Sequence, residues 1–448
     1  MGLNVGIPVL AGMATRIRFS FSGPTVSGEF MFKFIHAADI HLDSPLKGLE
    51  RYEGAPVAEI RNAARRALEN LVRLAIDEEV KFVLISGDLY DGDWRDFQTG
   101  FFFIKQASRL REAGIPLFLI AGNHDAANKM TRSLRLPENV HLFPATTSDT
   151  VVIDELEVAL HGQSFQQAAV TEDLSKQYPA ARSGYLNIGL LHTSCTGREG
   201  HEPYAPCTIE GLTAKGYDYW ALGHVHTREV LCESPYIVFP GNIQGRHARE
   251  TGAKGCYLVT VDASRSLTLD FRPLDVLRWE VAAVDVSSTE GTADVLDLFG
   301  DSFEKLMREA GDLALAVRVE LTGQTDLHQK LHSERNQLIR EIQARGIDAG
   351  GGNLWIEKVK LRTSLPARST TLVVPEGAVG EIRKLFESVR GGNDKLLEYG
   401  FDFEDVFRKL PEELKQLCSP DDPEWLESVV TDAESLLMGK LYQAEEDV

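Results

Sequence analysis

Five short clusters in the 448-residue chain gather side chains that bind divalent cations. They are Asp39-Ile40-His41, Gly87-Asp88, Gly122-Asn123-His124-Asp125, His192, and Gly223-His224-Val225-His226. Carboxylate, imidazole and amide groups together form a hard-to-borderline donor set, which suits manganese, iron, cobalt or zinc. A carboxylate such as Asp88 has two oxygens and can bridge two cations, whereas Asn123 offers a neutral carbonyl oxygen. Asp39 and His41 are two apart, as are His224 and His226, so on a continuing strand each pair projects to one side and grips one ion. The glycines before Asp88, Asn123 and His224 let the backbone turn sharply and approach the ions closely. A pair of cations lowers the pKa of a shared water and clamps phosphate oxygens, so the chemistry expected is direct phosphoester hydrolysis. A histidine that is not a ligand can then serve the leaving group as general acid.

Taken singly these signals are weak. A GD or GNH occurs in many turns, and an isolated histidine is more often a hydrogen-bonded core or surface residue than a ligand. Their joint placement discriminates. The apolar runs MFKFIHAAD, VKFVLISGD and PLFLIAGNHD predict strands buried on both faces of a helix-covered sheet. Helical periodicity is predicted between them, at about 55–79 and about 95–113. Strand, helix, strand, helix, strand implies right-handed βαβ units, whose ligands sit beyond the carboxyl ends of the strands. The first three clusters fall at those ends. Burying so many polar groups without a charge partner would be costly, and a metal pair removes that cost.

After residue 145 the texture changes. TVVIDELEVALHG predicts a hairpin around Asp154-Glu155, and LNIGLLHTS, GYDYWALGHVH, PYIVFPGN, GCYLVTVD and SLTLDFRPL predict further strands of a second sheet packed on the first. The expected class is therefore α/β: a two-sheet core flanked by helices over residues 31–275. A small α+β cap domain is expected over 276–370, with strands at 312–321 and 353–362. Between them lies a helix at 326–345 with Leu327, Leu331, Leu338 and Ile342 on one stripe. Residues 371–448 are expected to be helical and acidic. Residues 1–30 are expected to be a poorly ordered extension, with Met31 a candidate alternative start. No Lys or Arg precedes the apolar opening stretch, unlike a secretory signal, and Gly6 stands where a myristoylation pattern wants Ser or Thr.

The net charge of -20 argues against broad non-specific coating of nucleic acid. It is unevenly placed, however: residues 401–448 hold 14 Asp or Glu against 4 Lys or Arg, so the rest can still carry a basic cleft. Five cysteines without CxxC spacing disfavour a disulfide framework or zinc ribbon and point to a reducing cytoplasm. No apolar run approaches the ~20 residues that span a bilayer.

With its ordered ligand clusters, the chain resembles the calcineurin-like metallophosphoesterase superfamily. The segments HAADIHLDSP, GDLYD and PGNIQGR are similar to the SbcD-type DNA exonuclease subunits, particularly the YhaO-like branch. One departure is Asp43, where the SbcD pattern commonly has Gly. The resemblance implies two divalent ions, with manganese favoured. Asp39, His41, Asp88 and His226 would hold one, and Asp88, Asn123, His192 and His224 the other. It implies that His124 faces the scissile phosphate and that Asp91 steadies it, with Asp125 the nearer but weaker rival. It further implies a DNA exonuclease or endonuclease subunit in DNA repair, an SMC-type coiled-coil ATPase partner, and a homodimer.

Other residues have competing readings. Arg246, His247, Arg249 and Lys254 follow PGN and could form a phosphate-contacting loop, with Arg246 the leading contact, or simply a solvated one. His36 is out of phase with Asp39 and is expected to be structural, as are His161 and Cys195. Tyr90 fits core filling better than substrate stacking. His328 and His332 are four apart on a helix, but without a third ligand a solvated face is expected. Trp425, Val429, Leu436 or Leu437, and Leu441 form an apolar stripe, preceded by Leu410, Leu414 and Leu417. That stripe could dock on the ATPase or pack on the chain itself. Two further functions stay open: a phosphodiesterase or phosphatase on small nucleotides or phosphoproteins, and a regulatory adaptor of the ATPase.

Overall fold

A computed structural model describes residues 15–16, 32–44, 57–91, 97–127, 135–195, 204–366 and 378–390, with scattered positions between 408 and 437. The first compact unit spans Met1–Glu280 with Asp312–Ala316, and the second spans Val281–Gly311 with Val317–Val448.

Of the first unit's strands, β1 is Thr15–Arg16 and β2 is Phe32–Ala37; helix α1, Val57–Asp77, leads to β3, Phe82–Ser86. Helix α2, Gln98–Glu112, leads to β4, Leu117–Ile120; the short α3, Asn123–Ala127, leads to β5, Val140–Leu142. The hairpin of β6, Asp149–Ile153, and β7, Val158–Gly162, is antiparallel across Asp154–Glu157, and β8, Leu186–His192, follows it. Then come α4, Ile209–Thr213, β9, Tyr219–Gly223, β10, Glu229–Glu233, and β11, Tyr236–Phe239. The last strands of the core are β12, Gly255–Val261, and β13, Leu267–Pro273.

These strands form two mixed sheets. One has the order β13-β12-β2-β3-β4-β5, and the other β1-β6-β7-β8-β9-β11-β10. Phe34, Phe82, Leu84 and Phe118 from the first pack against Val151, Leu160, Ile188, Leu190 and Tyr219 from the second in one buried cluster. The outer face of the first sheet packs Ile35, Val83, Ile85 and Leu117 against Leu68, Leu71 and Val72 of α1 and Phe103, Ala107 and Leu110 of α2. The near-continuous apolar runs follow from this burial on both faces. The outer face of the second sheet is covered by Phe165, Leu174, Tyr178 and Leu212, packed on Trp220, Leu222 and Phe239. Within the stretch expected to be a loose extension, Thr15 and Arg16 pair in parallel with Val151 and Val152, so the extension supplies an edge strand.

The second unit centres on a three-stranded sheet in the order β14-β15-β16: Leu277–Asp285, Ala314–Gln324 and Leu354–Ser364. Helix α5 is Thr292–Ala310. The single helix expected at 326–345 is two, α6, His328–Ser333, and α7, Arg335–Gly350. They break at Glu334, whose N–H still reaches Lys330 O while its φ of -93° and ψ of 17° leave helical geometry. Leu331, Leu338 and Ile342 are nonetheless buried on both sides of the break. Helix α8 is Ala378–Arg390. Of the C-terminal apolar stripe, Val429 and Leu437 are described, the latter exposed; Trp425, Leu436, Leu441, Leu410, Leu414 and Leu417 lie outside the described residues. Among the described residues, no helix is long and apolar enough to cross a membrane.

Candidate metal centre

Every polar cluster named above sits just past the carboxyl end of a strand. In the first sheet β2, β3 and β4 run parallel and in register, with Ala37 opposite Ile85 and Ser86 opposite Ile120. In the second, His192 ends β8 opposite Gly223, which ends β9. The two sheets therefore deliver their ends to one place. Gly223 makes this approach possible: a Cβ there would stand 1.9 Å from Ser86 O, and one on Gly87, at φ 95°, would stand 2.3 Å from His192 Nδ1. At both positions only glycine fits.

Beyond Ala37 the strand geometry does not continue. Asp39, His41, Asp43, Asp88 and His224 all have positive φ, at 52°, 47°, 56°, 51° and 100°. Asp39 and His41 share a side because left-handed residues recur at alternate positions, held by Asp39 N–H to Gly87 O and His41 N–H to Asp88 O at 3.1 and 3.0 Å. Backbone of this kind costs on the order of 1–3 kcal/mol per residue and persists at functional sites. Asp43 occupies a position suited to glycine, and its carboxylate is gripped by Arg65 and by Thr99 Oγ1.

Three donor groups result, each with its ligand atoms close enough to share an ion: Asp39, His41 and His226; Asp88, His192 and His224; and His41, Asp91 and His124. His41 Nε2 and His226 Nε2 are 3.1 Å apart. Two ligands ~2.1 Å from a common ion, at right angles, would be about 3 Å apart. The tautomers fit this use. His192 Nδ1 is 2.9 Å from the Ser86 carbonyl and His226 Nδ1 is 2.7 Å from Glu250 Oε1. Both partners only accept, and at His226 the Glu250 contact is shorter than the 3.2 Å approach of the donor Arg246 Nη2, so each Nδ1 is assigned the hydrogen and each Nε2 is left to bind an ion. His192 Nε2 lies 2.9 Å from Asn123 Oδ1 and 3.4 Å from Asp88 Oδ2. Among the described residues, the buried His41 Nδ1 has no hydrogen-bond partner.

The charges also call for a cation. Burial pushes the Asp39 carboxyl up to about 6. Burial acts the same way on Asp88, but the His192 imidazolium and its hydrogen bond override it and bring Asp88 down to about 2. Burial works against the charge on His192, and Asp88 outweighs it to hold the ring at about 9. The His192 ring and the Asp88 carboxylate thus each favour the charged form of the other against the cost of burial. Asp39, His41, Asp88, Asn123, His192, His224 and His226 form a donor set that fits two divalent ions.

Two family models match the chain: calcineurin-like phosphoesterase over residues 32–228, and the middle domain of metallophosphoesterase YhaO over residues 279–364. The chain is 37% identical over 294 residues to the uncharacterized metallophosphoesterase YhaO of Bacillus subtilis strain 168, spanning 65% of this chain and 71% of that protein. The chain belongs to the calcineurin-like metallophosphoesterase family. It is also similar to the DNA double-strand break repair protein Mre11 of Sulfurisphaera tokodaii, 27% identical over 49% of this chain and 58% of that protein. The Mre11 of Saccharolobus solfataricus is 26% identical over 65% of this chain and 75% of its own length.

In this metallophosphoesterase His124 is the second residue of α3, beside the donor set, with its side chain 39% exposed and Nδ1 2.8 Å from Asp91 Oδ1. Burial opposes protonation of His124, but the Asp91 hydrogen bond and the Asp88 charge win and raise its pKa. Asp125 turns the other way: its carboxylate accepts from the backbone N–H groups of Leu89, Tyr90 and Gly122 and so shapes the turns after β3 and β4. Arg246 stands 3.3 Å from Asp91 and 3.1 Å from Glu250, with its side chain 16% exposed. Glu250 escaped the sequence reading. It is buried and braces His226, and its only sequence signal is that it closes the run QGRHARE. His36 is structural, between Tyr219 OH and Leu222 O, and His161 stacks on Tyr217. Cys195 is buried in the outer cluster of the second sheet, and Tyr90 packs its ring edge-on against Phe103.

Proposed function

We propose that this metallophosphoesterase is a nuclease subunit that hydrolyses DNA phosphodiester bonds with two manganese ions, in the cytoplasm, alongside an SMC-type coiled-coil ATPase. The observation carrying the chemistry is the Asp91–His124 pair, with a half-exposed imidazole beside a donor set whose Asp39, His41, Asp88, His192 and His224 are buried. Bound divalent ions supply an activated water and neutralise the phosphate. Asp91 takes the Nδ1 hydrogen of His124 and leaves Nε2 to carry the proton for the departing oxygen. The hydrogen bond from Asp91 favours the protonated ring and raises its pKa from the ordinary value. DNA as substrate is supported by the Mre11 relatives and by an α+β unit that a small-molecule phosphoesterase does not need. The cysteines among the described residues are all free thiols, which suits a reducing compartment. The ATPase partner rests on the resemblance and on the C-terminal apolar stripe. Deleting residues 401–448 should abolish its capture in a pull-down.

The test is digestion of end-labelled duplex and single-stranded DNA with manganese, beside a generic phosphodiester dye. Cleavage of DNA that is lost in His124→Ala supports the reading. Turnover of the dye alone would remove DNA as the substrate.

A further inference from the structure

The loop after β11 carries a buried carboxylate, Glu250, that reaches the site through His226 and Arg246. Glu250 Oε1 accepts from His226 Nδ1 at 2.7 Å and from Arg246 Nη2 at 3.1 Å. Its Oε2 accepts from Asn242 Nδ2 at 2.8 Å and from the Arg246 backbone N–H at 2.7 Å. The other arm of Arg246, Nη1, reaches Asp91 Oδ2 at 3.3 Å, and Ser44 Oγ donates to that same oxygen. Asp91 Oδ1 in turn holds His124. A continuous chain thus runs from His226 through Glu250, Arg246 and Asp91 to His124.

Two features separate this chain from an ordinary loop ion pair. Glu250 makes its shortest side-chain contact with the ring nitrogen of His226 that cannot also be a ligand, and so decides which nitrogen faces the site. Arg246 is spent on two carboxylates that serve different histidines, one in the donor set and one beside it. A guanidinium has the fixed fork needed to set two such carboxylates at once, which a lysine lacks.

We infer that Glu250 and Arg246 are positioning residues that lock the His226 ligand nitrogen and the Asp91–His124 acid into one rigid unit. Glu250 acts on ion binding through His226. Arg246 acts on the acid through Asp91, in place of a direct contact with phosphate. The inference rests on the two-metal reading of the site.

The experiment is manganese titration followed by electron paramagnetic resonance, with turnover of a phosphodiester dye measured in parallel on folded, full-length protein. Glu250→Gln should weaken one of two manganese sites by about 10- to 100-fold, the range seen when a residue behind a ligand is removed. Arg246→Met should leave both manganese affinities within about threefold and lower kcat by about tenfold with little change in KM. His247→Ala, altering the exposed neighbour 3.7 Å from Glu250, should change neither quantity. Wild-type manganese binding in Glu250→Gln would overturn the inference. So would Arg246→Met weakening either manganese site by about tenfold or more, an outcome that can be read even if Glu250→Gln fails to fold. His226→Ala separates the two levels of argument. If it keeps both ions, His226 is not a ligand and the ligand assignment itself fails. If it loses one while Glu250→Gln does not, only the bracing role fails.

Discussion

Two histidine pairs in this chain invite comparison. His41 and His226 have ring centroids 5.0 Å apart in the first unit, and His328 and His332 are closer still, at 4.4 Å, in the second. The closer pair is not the stronger metal candidate. His41 and His226 meet Asp39 within reach of one ion, whereas among the described residues no third carboxylate, imidazole or thiol joins His328 and His332. His328 Nδ1 instead rests 2.9 Å from Thr363 Oγ1. Burial, with the neighbouring His332, lowers the His328 ring to about 4 and favours its neutral form. Adjacent imidazoles become a site when strands from elsewhere deliver anions to them, and a helix repeat of four residues cannot do that.

The largest effect that would break this comparison is Asp88→Ala. It should empty the site of metal, measured by elemental analysis, and abolish phosphodiester hydrolysis, while His328→Ala and His332→Ala together leave metal content unchanged. Retained metal in Asp88→Ala would mean the bridging role belongs elsewhere. Next, His124→Ala should keep its metal and lose about 10²- to 10⁴-fold in kcat, the usual worth of a general acid. Loss of metal instead would make His124 a ligand. Gly223→Ala should cost about 1–3 kcal/mol of stability by denaturant titration, because the new methyl group meets Ser86 O. An unchanged midpoint would show that the two sheet ends can separate freely.

A smaller effect concerns acid stability. Burial holds His36 at about 3, below its ordinary 6.5. As pH falls from 6.5 towards 3 the unfolded chain takes up a proton there that the folded chain refuses, so stability declines across that window by at most about 1.4 kcal/mol per pH unit. His36→Asn should flatten this slope in urea titrations at several pH values. The smallest effect expected is for His328→Ala alone: a loss of about 1 kcal/mol from its Thr363 contact, and no change in activity.

Much of the core was legible in advance. Apolar runs buried on both faces gave β2, β3 and β4, the DELE turn marked the β6–β7 hairpin, and the ligand clusters fell where parallel strands end. Asp39 and His41 do lie together, but not as residues of a continuing strand, because a period of two can also arise from alternating left-handed residues. Glu250 was not legible. A glutamate among charged loop residues looks solvated until its partners are known, and His226 lies 24 residues away.

By itself the sequence determined the chemistry of the donors and the order in which strands would carry them, since residue type and apolar patterning are local properties. Tertiary structure alone decided that Asp91 and not Asp125 serves His124, which nitrogen each histidine offers, and that Arg246 answers to two carboxylates. Those outcomes depend on hydrogen bonds between residues far apart in the chain, and burial makes each one strict, because an unpaired polar group there has no water to turn to.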